Sequence, residues 1–339
     1  MKRKALLLWL AVAFQVGVVA AMALSREWIL ASGTPHIFQT APIDPRDLFR
    51  GDYVRLDYLF SSLPAQQLDE AILEGGLAKG QKVYLSLDSD SNGVSRGGRL
   101  YASPPQGQPY LTGRSLNYWP YSRKYQDRPL WREGEMERLP VSVKYGIEQY
   151  YVEQGAGRAM EVLRGSRSGF QVPLLIHARV SASGEAVISS YEWANVAMKT
   201  EALRSPQRDD PDGPASAVIR FTLMNRSERP LTLPLKAGNC SFTLIPAQQA
   251  PAAATDFAAE RGDCADAPVQ AITLAPGETH AVSLDLNRPH WQVNYQNKPT
   301  PPGKLPWHYR YRIHYQGEAI PGIKAVLLSS SFHGSGNID

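Results

Sequence analysis

Two glutamates, Glu148 and Glu153, are the carboxylates whose spacing comes nearest to paired acid–base chemistry. Such a pair works only when both carboxyl groups reach the same bond of a substrate. An offset of five residues places two side chains on opposite faces of a continuous β-strand. The spacing therefore favours turn or salt-bridge roles, and we predict no catalytic residue in this chain.

Metal and cofactor sites find little support in the residue pattern. The acidic stretch at residues 88–98 lacks the ligand spacing and the final glutamate of a calcium-binding loop. Cys240 and Cys264 have no cysteine or histidine pair nearby at zinc spacing. A glycine-rich phosphate loop, a nucleophile elbow and a metalloprotease helix motif are all missing from the sequence. We therefore predict neither a metal nor a cofactor.

Cys240 and Cys264 are the only cysteines in the chain. In an oxidising compartment, two cysteines that enclose a loop of about 25 residues form one disulfide, which stabilises mainly by restricting the unfolded chain. Two free buried thiols are the alternative. We predict the disulfide Cys240–Cys264.

A charged turn followed by an alternating strand occupies residues 44–58. Asp44 and Pro45 suit the start of a turn, because proline fixes φ and aspartate can bond to the backbone ahead of it. Gly51 supplies backbone freedom, and Asp52 can cap the bend. Apolar and charged residues then alternate, which predicts a half-buried strand. Its buried face is expected to carry Val54, Leu56, Tyr58 and Phe60.

This stretch resembles the naming motif of the GDYXXLXY family. The motif residues are Gly51, Asp52, Tyr53, Leu56 and Tyr58, preceded by the lead-in residues Asp44, Pro45, Arg46, Asp47 and Arg50. A second block that resembles the family consists of Tyr145, Gly146, Ile147, Glu148 and Glu153. The two blocks extend the resemblance over roughly residues 25–195.

The resemblance implies an envelope protein that works beside a multi-span protein of the inner membrane, because members of the family commonly accompany such proteins. It implies no enzymatic activity. We expect the motif to hold the fold, with Gly51 and Asp52 setting the turn and with Tyr53, Leu56 and Tyr58 packing against the core.

The same stretch also resembles the part of type I signal peptidases in which a nucleophilic serine precedes a proline and a Gly-Asp strand. The nucleophile position falls on Pro42, which has no hydroxyl group. Lys144 would stand in place of the general base. As an alternative, this resemblance implies a degenerate scaffold without peptidase activity.

The N-terminus consists of a basic segment, residues 1–4, and an apolar run, residues 5–24, in which Gln15 is the only strongly polar residue. About twenty residues at ~1.5 Å per residue span the lipid bilayer core. Basic residues before the run place the remaining chain outside the cytoplasm. We predict a single-pass anchor in the bacterial inner membrane, with a cytoplasmic N-terminus and a periplasmic body. Signal-peptide cleavage after Ala23 is the alternative.

Short alternating runs separated by glycine and proline predict a mainly β protein. We expect a β-rich α+β domain at residues 25–200, a polar linker at 201–216, an immunoglobulin-like β-sandwich at 217–332 and a flexible tail at 333–339. The formal net charge of +4 is too small and too evenly spread to indicate nucleic-acid binding.

Two further features suggest ligands. Aromatic residues interleaved with prolines and basic residues fill residues 101–131, from Tyr101 to Trp131, and suggest glycan binding as an alternative function. Near the C-terminus, alternation places four basic residues on one strand face, where we expect an outward basic stripe: His308, Arg310, Arg312 and His314. The ligand and the oligomeric state do not follow from the sequence.

Overall fold

The computed structural model of the protein describes most of the chain. The residues it describes are 2–41, 53–90, 93–117, 140–153, 160, 169–204, 218–247, 264, 266–286, 293–295, 298–300, 302, 310–315, 320 and 322–333. Among them lie one long apolar helix and many short strands, so the prediction of a mainly β protein with an N-terminal helix is confirmed.

The N-terminal helix, α1, extends over Lys2–Ser32. Its part Leu7–Ser32 is long and apolar enough to cross a bilayer, as a membrane anchor or as a signal sequence, and its most apolar stretch has no buried residue. The helix continues well past residue 24, where the apolar run was predicted to end. It stops at Gly33, where an added Cβ would lie 2.6 Å from the Ile29 carbonyl oxygen.

Ten strands and a short helix form the N-terminal half of the protein, which we define as residues 34–193. The strands are β1 (Thr34–Gln39), β2 (Tyr53–Arg55), β3 (Ser62–Leu63), β4 (Lys82–Ser89), β5 (Ser95–Tyr101), β6 (Tyr110–Ser115), β7 (Val141–Lys144), β8 (Gln149–Tyr151), β9 (Leu174–Val180) and β10 (Ala186–Trp193), and the helix is α2 (Glu70–Gly75). The strands make three sheets, with the orders β1-β9-β10, β3-β7-β6-β4-β5 and β2-β8.

One hydrophobic cluster lies between these sheets. Alternation along residues 54–60 is correct as a burial pattern, because Val54, Leu56, Tyr58 and Phe60 are all buried. The regular strand, however, ends at Arg55, and the chain beyond it is held by single hydrogen bonds. Phe38 of β1 joins the same cluster and is fully buried.

The remaining strands form the C-terminal half, residues 194–333. They are β11 (Val196–Arg204), β12 (Val218–Asn225), β13 (Leu231–Lys236), β14 (Phe242–Pro246), β15 (Val269–Leu274), β16 (Thr279–Asp285), β17 (Val293–Tyr295), β18 (Lys298–Thr300), β19 (Arg310–Tyr315) and β20 (Phe332–His333). Their sheets have the orders β11-β12-β16, β13-β15, β14-β19-β20 and β17-β18. An immunoglobulin-like arrangement stays a prediction.

Strand β11 belongs to the C-terminal half, although the sequence placed residues up to 200 in the first domain. It pairs with β12 along its whole length, and Val196 and Met198 join the C-terminal hydrophobic cluster. Residues 205–217, which contain most of the predicted linker, and residues 334–339 of the predicted tail lie outside the described part of the chain.

The two cysteines form the disulfide that the sequence predicts. The Cα atoms of Cys240 and Cys264 are 5.4 Å apart, and the two sulfur atoms are bonded. Cys240 follows a short 3₁₀ turn, Ala237–Asn239, that leads into β14. The bond therefore ties the start of a core strand to the distant residue 264, and it indicates an oxidising compartment.

We expect the double substitution Cys240→Ser with Cys264→Ser to lower the free energy of unfolding by about 3 kcal/mol, because it releases a loop of about 25 residues in the unfolded chain. Urea unfolding of the full chain in detergent, followed by tryptophan fluorescence, measures the change. Wild-type protein treated with a reducing agent is the matched control and should shift equally. An unchanged midpoint in both samples would contradict the prediction.

Candidate functional site

The two blocks of the family resemblance pack directly against each other. Strand β2 of the first block pairs antiparallel with β8 of the second, with Val54 opposite Tyr150. One residue beyond the end of β2, the Leu56 N–H donates to the Glu148 carbonyl oxygen at 2.8 Å. Residues almost a hundred positions apart are thus joined through backbone hydrogen bonds into one site.

Glu148 uses its carboxylate to fix the turn that opens the second block. The Tyr145 N–H donates to Oε1, and the Gly146 N–H donates to Oε2 at 3.0 Å. Gly146 has a φ of +86°, a conformation that residues with a side chain rarely adopt. Both carboxylate oxygens are therefore occupied by the backbone, while Glu153, the other carboxylate considered for acid–base work, is exposed.

Two buried tyrosines connect the blocks from inside the core. The Tyr58 hydroxyl donates to the Ile147 carbonyl oxygen at 2.6 Å, and the Tyr145 hydroxyl donates to the Phe60 carbonyl oxygen at 3.1 Å. The ring of Phe60 stacks on Tyr58 and meets Tyr145 edge to face, with centroid distances of 5.3 and 5.4 Å. Each block thus receives a hydroxyl hydrogen bond from the other.

Burial, assisted by the negative charge of Glu148, raises the pKa of both Tyr58 and Tyr145 well above that of an exposed tyrosine. Both phenols consequently remain protonated at neutral pH and act as hydrogen-bond donors to carbonyl groups. The arrangement is suited to holding a turn and a strand together, and less suited to moving protons.

The structure accounts for only part of the first block. Leu56 and Tyr58 are buried as the alternation predicts, and the backbone of Tyr53 lies in β2. The other motif positions, together with the position of the missing nucleophile, lie outside the described residues; they are Pro42, Asp44, Pro45, Arg46, Asp47, Arg50, Gly51 and Asp52. Lys144, the residue at the general-base position, is exposed.

A second group of buried polar residues, which the sequence does not reveal, joins the two halves of the protein. The Gln39 amide donates to the Val326 carbonyl oxygen at 3.0 Å and accepts from the Val326 N–H at 2.6 Å. Ser330 donates through its hydroxyl to Gln171 Oε1 at 2.6 Å. Gln39 and Val326 are 287 positions apart, so no local pattern could have predicted the contact.

The expected outward basic stripe on β19 is wrong at Arg312 and His314, because residues of the N-terminal half lie against them, whereas Arg310 at the start of the strand is exposed and residue 308 lies outside the described residues. His314 is buried and Arg312 is half-buried. Burial lowers the pKa of Arg312 to about 10 against the opposing effect of Asp57, and burial together with Arg96 lowers the pKa of His314 to about 4. Alternation identifies residues that share a face; it does not identify what covers that face.

The described part of the aromatic stretch is tied to the fold. Tyr110 meets Tyr84 edge to face at 5.6 Å, and its hydroxyl donates to the Ala182 carbonyl oxygen at 3.1 Å. Tyr101 accepts a hydrogen bond from Gln108. The other rings, which are Tyr118, Trp119, Tyr121, Tyr125 and Trp131, lie outside the described residues, and glycan binding stays a prediction.

No group of three or more histidine, cysteine, aspartate or glutamate side chains that could hold a metal occurs among the described residues. In a comparison with known proteins, the model of a family described as GDYXXLXY protein matches residues 15–190. No curated protein and no solved structure matches the chain.

The contacts of Tyr58 and Glu148 predict a stability role for the motif. We expect Tyr58→Phe to lower the free energy of unfolding by about 1 kcal/mol, because the Ile147 carbonyl loses its donor in a buried site. Glu148→Ala should cost about 1–3 kcal/mol, because two backbone N–H groups lose their acceptor, and Glu148→Gln should cost less. Tyr191→Phe, at a partly exposed ring, is the matched control. Thermal or urea unfolding measures all four; equal stability of Tyr58→Phe, Glu148→Ala and wild type would contradict the prediction.

The buried His314 predicts a loss of stability in acid. Its pKa is about 4 in the folded protein, below the ordinary histidine value of 6.5. The unfolded chain therefore binds the proton first, and the stability contributed by neutral His314 is lost as the pH falls from about 6.5 towards 4.

His314→Gln should remove this part of the pH dependence, so the difference in unfolding free energy between wild type and variant should shrink between pH 7 and pH 4. Urea unfolding at four pH values measures that difference. His177→Gln, at a partly exposed histidine beside Glu192, is the control. A wild-type-to-variant difference that does not depend on pH would disprove the assignment.

Proposed function

The chain belongs to the GDYXXLXY family, and from this premise we propose that it is a non-enzymatic protein of the bacterial cell envelope, held in the inner membrane by α1 with its N-terminus in the cytoplasm. Its body acts in the periplasm as an accessory or binding partner of a multi-span membrane protein. Family membership supports the envelope location, and contacts of α1 and of the motif residues support anchoring and binding.

The observation that carries the proposal is that α1 connects directly to the first strand of the folded core. Only Gly33 stands between the helix end at Ser32 and the first residue of β1. Ile29, in the last turn of the helix, is buried, and the Gly33 carbonyl oxygen accepts a hydrogen bond from Arg179 of β9 at 3.1 Å. If α1 spans the bilayer, the folded body is therefore held at the membrane surface, where the loops of a membrane partner are within reach.

Charge and cysteine chemistry support the proposed orientation. Lys2, Arg3 and Lys4 precede the apolar segment, and basic residues at this place keep the N-terminus cytoplasmic. The disulfide between Cys240 and Cys264 suits the oxidising periplasm. Trp28, at 73% exposure near the outer end of the helix, suits the interface between lipid and water.

The roles of the motif side chains support binding over catalysis. Glu148 places both carboxylate oxygens on backbone N–H groups, and Tyr58 and Tyr145 place their hydroxyls on carbonyl oxygens inside the core. These side chains contribute to the fold, so a partner would be recognised through the surface that the motif supports.

We expect the full chain to stay in the membrane fraction after high-salt and alkaline washing, because a helix of this length and composition spans the bilayer. The matched control replaces residues 1–24 with a cleavable signal sequence and should release the body into the soluble periplasm. A wild-type chain found soluble, with its mature N-terminus at Leu24, would contradict the anchor.

Mild detergent extraction followed by affinity purification tests the partner. The full chain, but not the released control, should bring down a multi-span inner-membrane protein in stoichiometric amount after chemical cross-linking. Recovery of cell-wall glycan alone would contradict the proposal and favour a glycan-binding role.

A further inference from the structure

Gln15 lies at the centre of the proposed membrane span. It is eleven residues after Lys4 and eleven residues before Arg26, and it is the only strongly polar residue in the apolar run between them. At ~1.5 Å per residue it stands about 16 Å from each charged end, which is the middle of a bilayer core about 30 Å thick. Its amide group therefore faces hydrocarbon, where neither water nor lipid tails can satisfy it.

Within the described residues, the Gln15 amide has no partner. The most apolar stretch of α1 has no buried residue, so no other part of the described chain packs against it. Among the hydrogen bonds of the described residues, none involves the Gln15 side chain. An unsatisfied amide in hydrocarbon is costly, and transmembrane helices satisfy such groups by hydrogen bonding to a neighbouring helix.

Apolar side chains continue the face on which Gln15 lies. Leu8 and Met22, seven residues before and after it, are 65% and 66% exposed, and Val18 is 43% exposed. Two helices pack in a left-handed pair when their contact residues repeat every seven positions, with one further contact residue within each repeat. A single amide among these contact residues fixes the register of the pair.

We propose that this face binds a second copy of α1, so that the protein is a dimer joined in the membrane through Gln15. Two copies inserted with the same orientation are parallel, which places both Gln15 amides at the same depth. A primary amide carries a donor and an acceptor, so two copies can exchange two hydrogen bonds. A helix of another protein would need a suitable group at that same depth. The inference rests on the proposed membrane anchor and goes beyond it.

Disulfide trapping in native membranes maps the face of contact. Leu8→Cys and Met22→Cys, on the side of Gln15, should give cross-linked dimers under mild oxidation. Leu10→Cys and Leu24→Cys lie about 140° and 180° away around the helix, and they should cross-link at least tenfold less. The two native cysteines are already bonded to each other, so they do not interfere. Equal cross-linking at all four positions, or none, would overturn the proposal.

Energy transfer between labelled full-length chains in lipid vesicles measures the strength of the contact. Gln15→Leu should raise the dimer dissociation constant by about tenfold, because the amide hydrogen bonds are lost. Gln15→Asn keeps an amide at the same depth and should retain most of the association. Leu10→Val changes a side chain about 140° away around the helix and should have no effect. Equal dissociation constants for wild type and Gln15→Leu would overturn the proposal.

Alkaline washing of the same membranes separates this inference from the proposed function. A chain that stays in the membrane yet remains monomeric overturns the dimer and leaves the anchor standing. A chain released from the membrane overturns both. A chain that is monomeric by itself, and that cross-links from Met22→Cys only to a multi-span protein, would assign this face to that protein and overturn the second copy as its occupant.

Discussion

The fold of the N-terminal half depends on the backbone junction between residues 54–56 and residues 148–150. The hydrogen bond from the Leu56 N–H to the Glu148 carbonyl oxygen extends the pairing of β2 with β8 by one residue. Glu148 contributes twice, with its carbonyl group to the neighbouring strand and with its carboxylate to its own turn. A residue with both functions ties the shape of the turn to the position of the strand.

The aromatic cluster gives this junction its rigidity. The cluster consists of four rings, those of Phe38, Tyr58, Phe60 and Tyr145. Tyr58 and Phe60 stack in parallel, and the other ring contacts are edge to face. The two tyrosine hydroxyls donate to carbonyl groups on opposite sides of the junction. Rings in such arrangements gain energy beyond simple burial. The hydroxyl groups of Tyr58 and Tyr145 both donate hydrogen bonds. The cluster therefore buries a large apolar area without leaving either hydroxyl unpaired.

The local sequence pattern predicted which strands and helices form, whereas contacts between distant residues determined where these elements begin and end. Alternation identified the buried side of residues 54–60 but not the end of the strand at Arg55, because beyond Leu56 the chain exchanges its backbone hydrogen bonds with residues 39–41 and no longer with β8. Residues 65–75 do not form one continuous helix. The chain forms a 3₁₀ turn, Ala65–Gln67, and the separate helix α2. Leu68 and Asp69, which lie between the turn and the helix, interrupt them because they form a β-bridge and a backbone hydrogen bond with Leu100.

The polar face of β19 shows that the sequence pattern also does not predict which surfaces are covered. The pattern correctly grouped Arg312 and His314, and it failed on their surroundings because the N-terminal half covers them. The contact that brings the halves together, between Gln39 and Val326, joins the two ends of the chain and leaves no trace in any short stretch of sequence.

Strand β1 acts as a spacer of fixed length. It begins one residue after α1 and ends at Gln39, the residue whose amide holds the C-terminal half. Six residues at ~3.3 Å per residue make this distance about 20 Å. If α1 spans the bilayer, a rotation or tilt of the helix would be transmitted along the strand to the joint between the halves, since only Gly33 lies between α1 and β1. The position of the helix is thus coupled, over about 20 Å, to the joint that holds the C-terminal half.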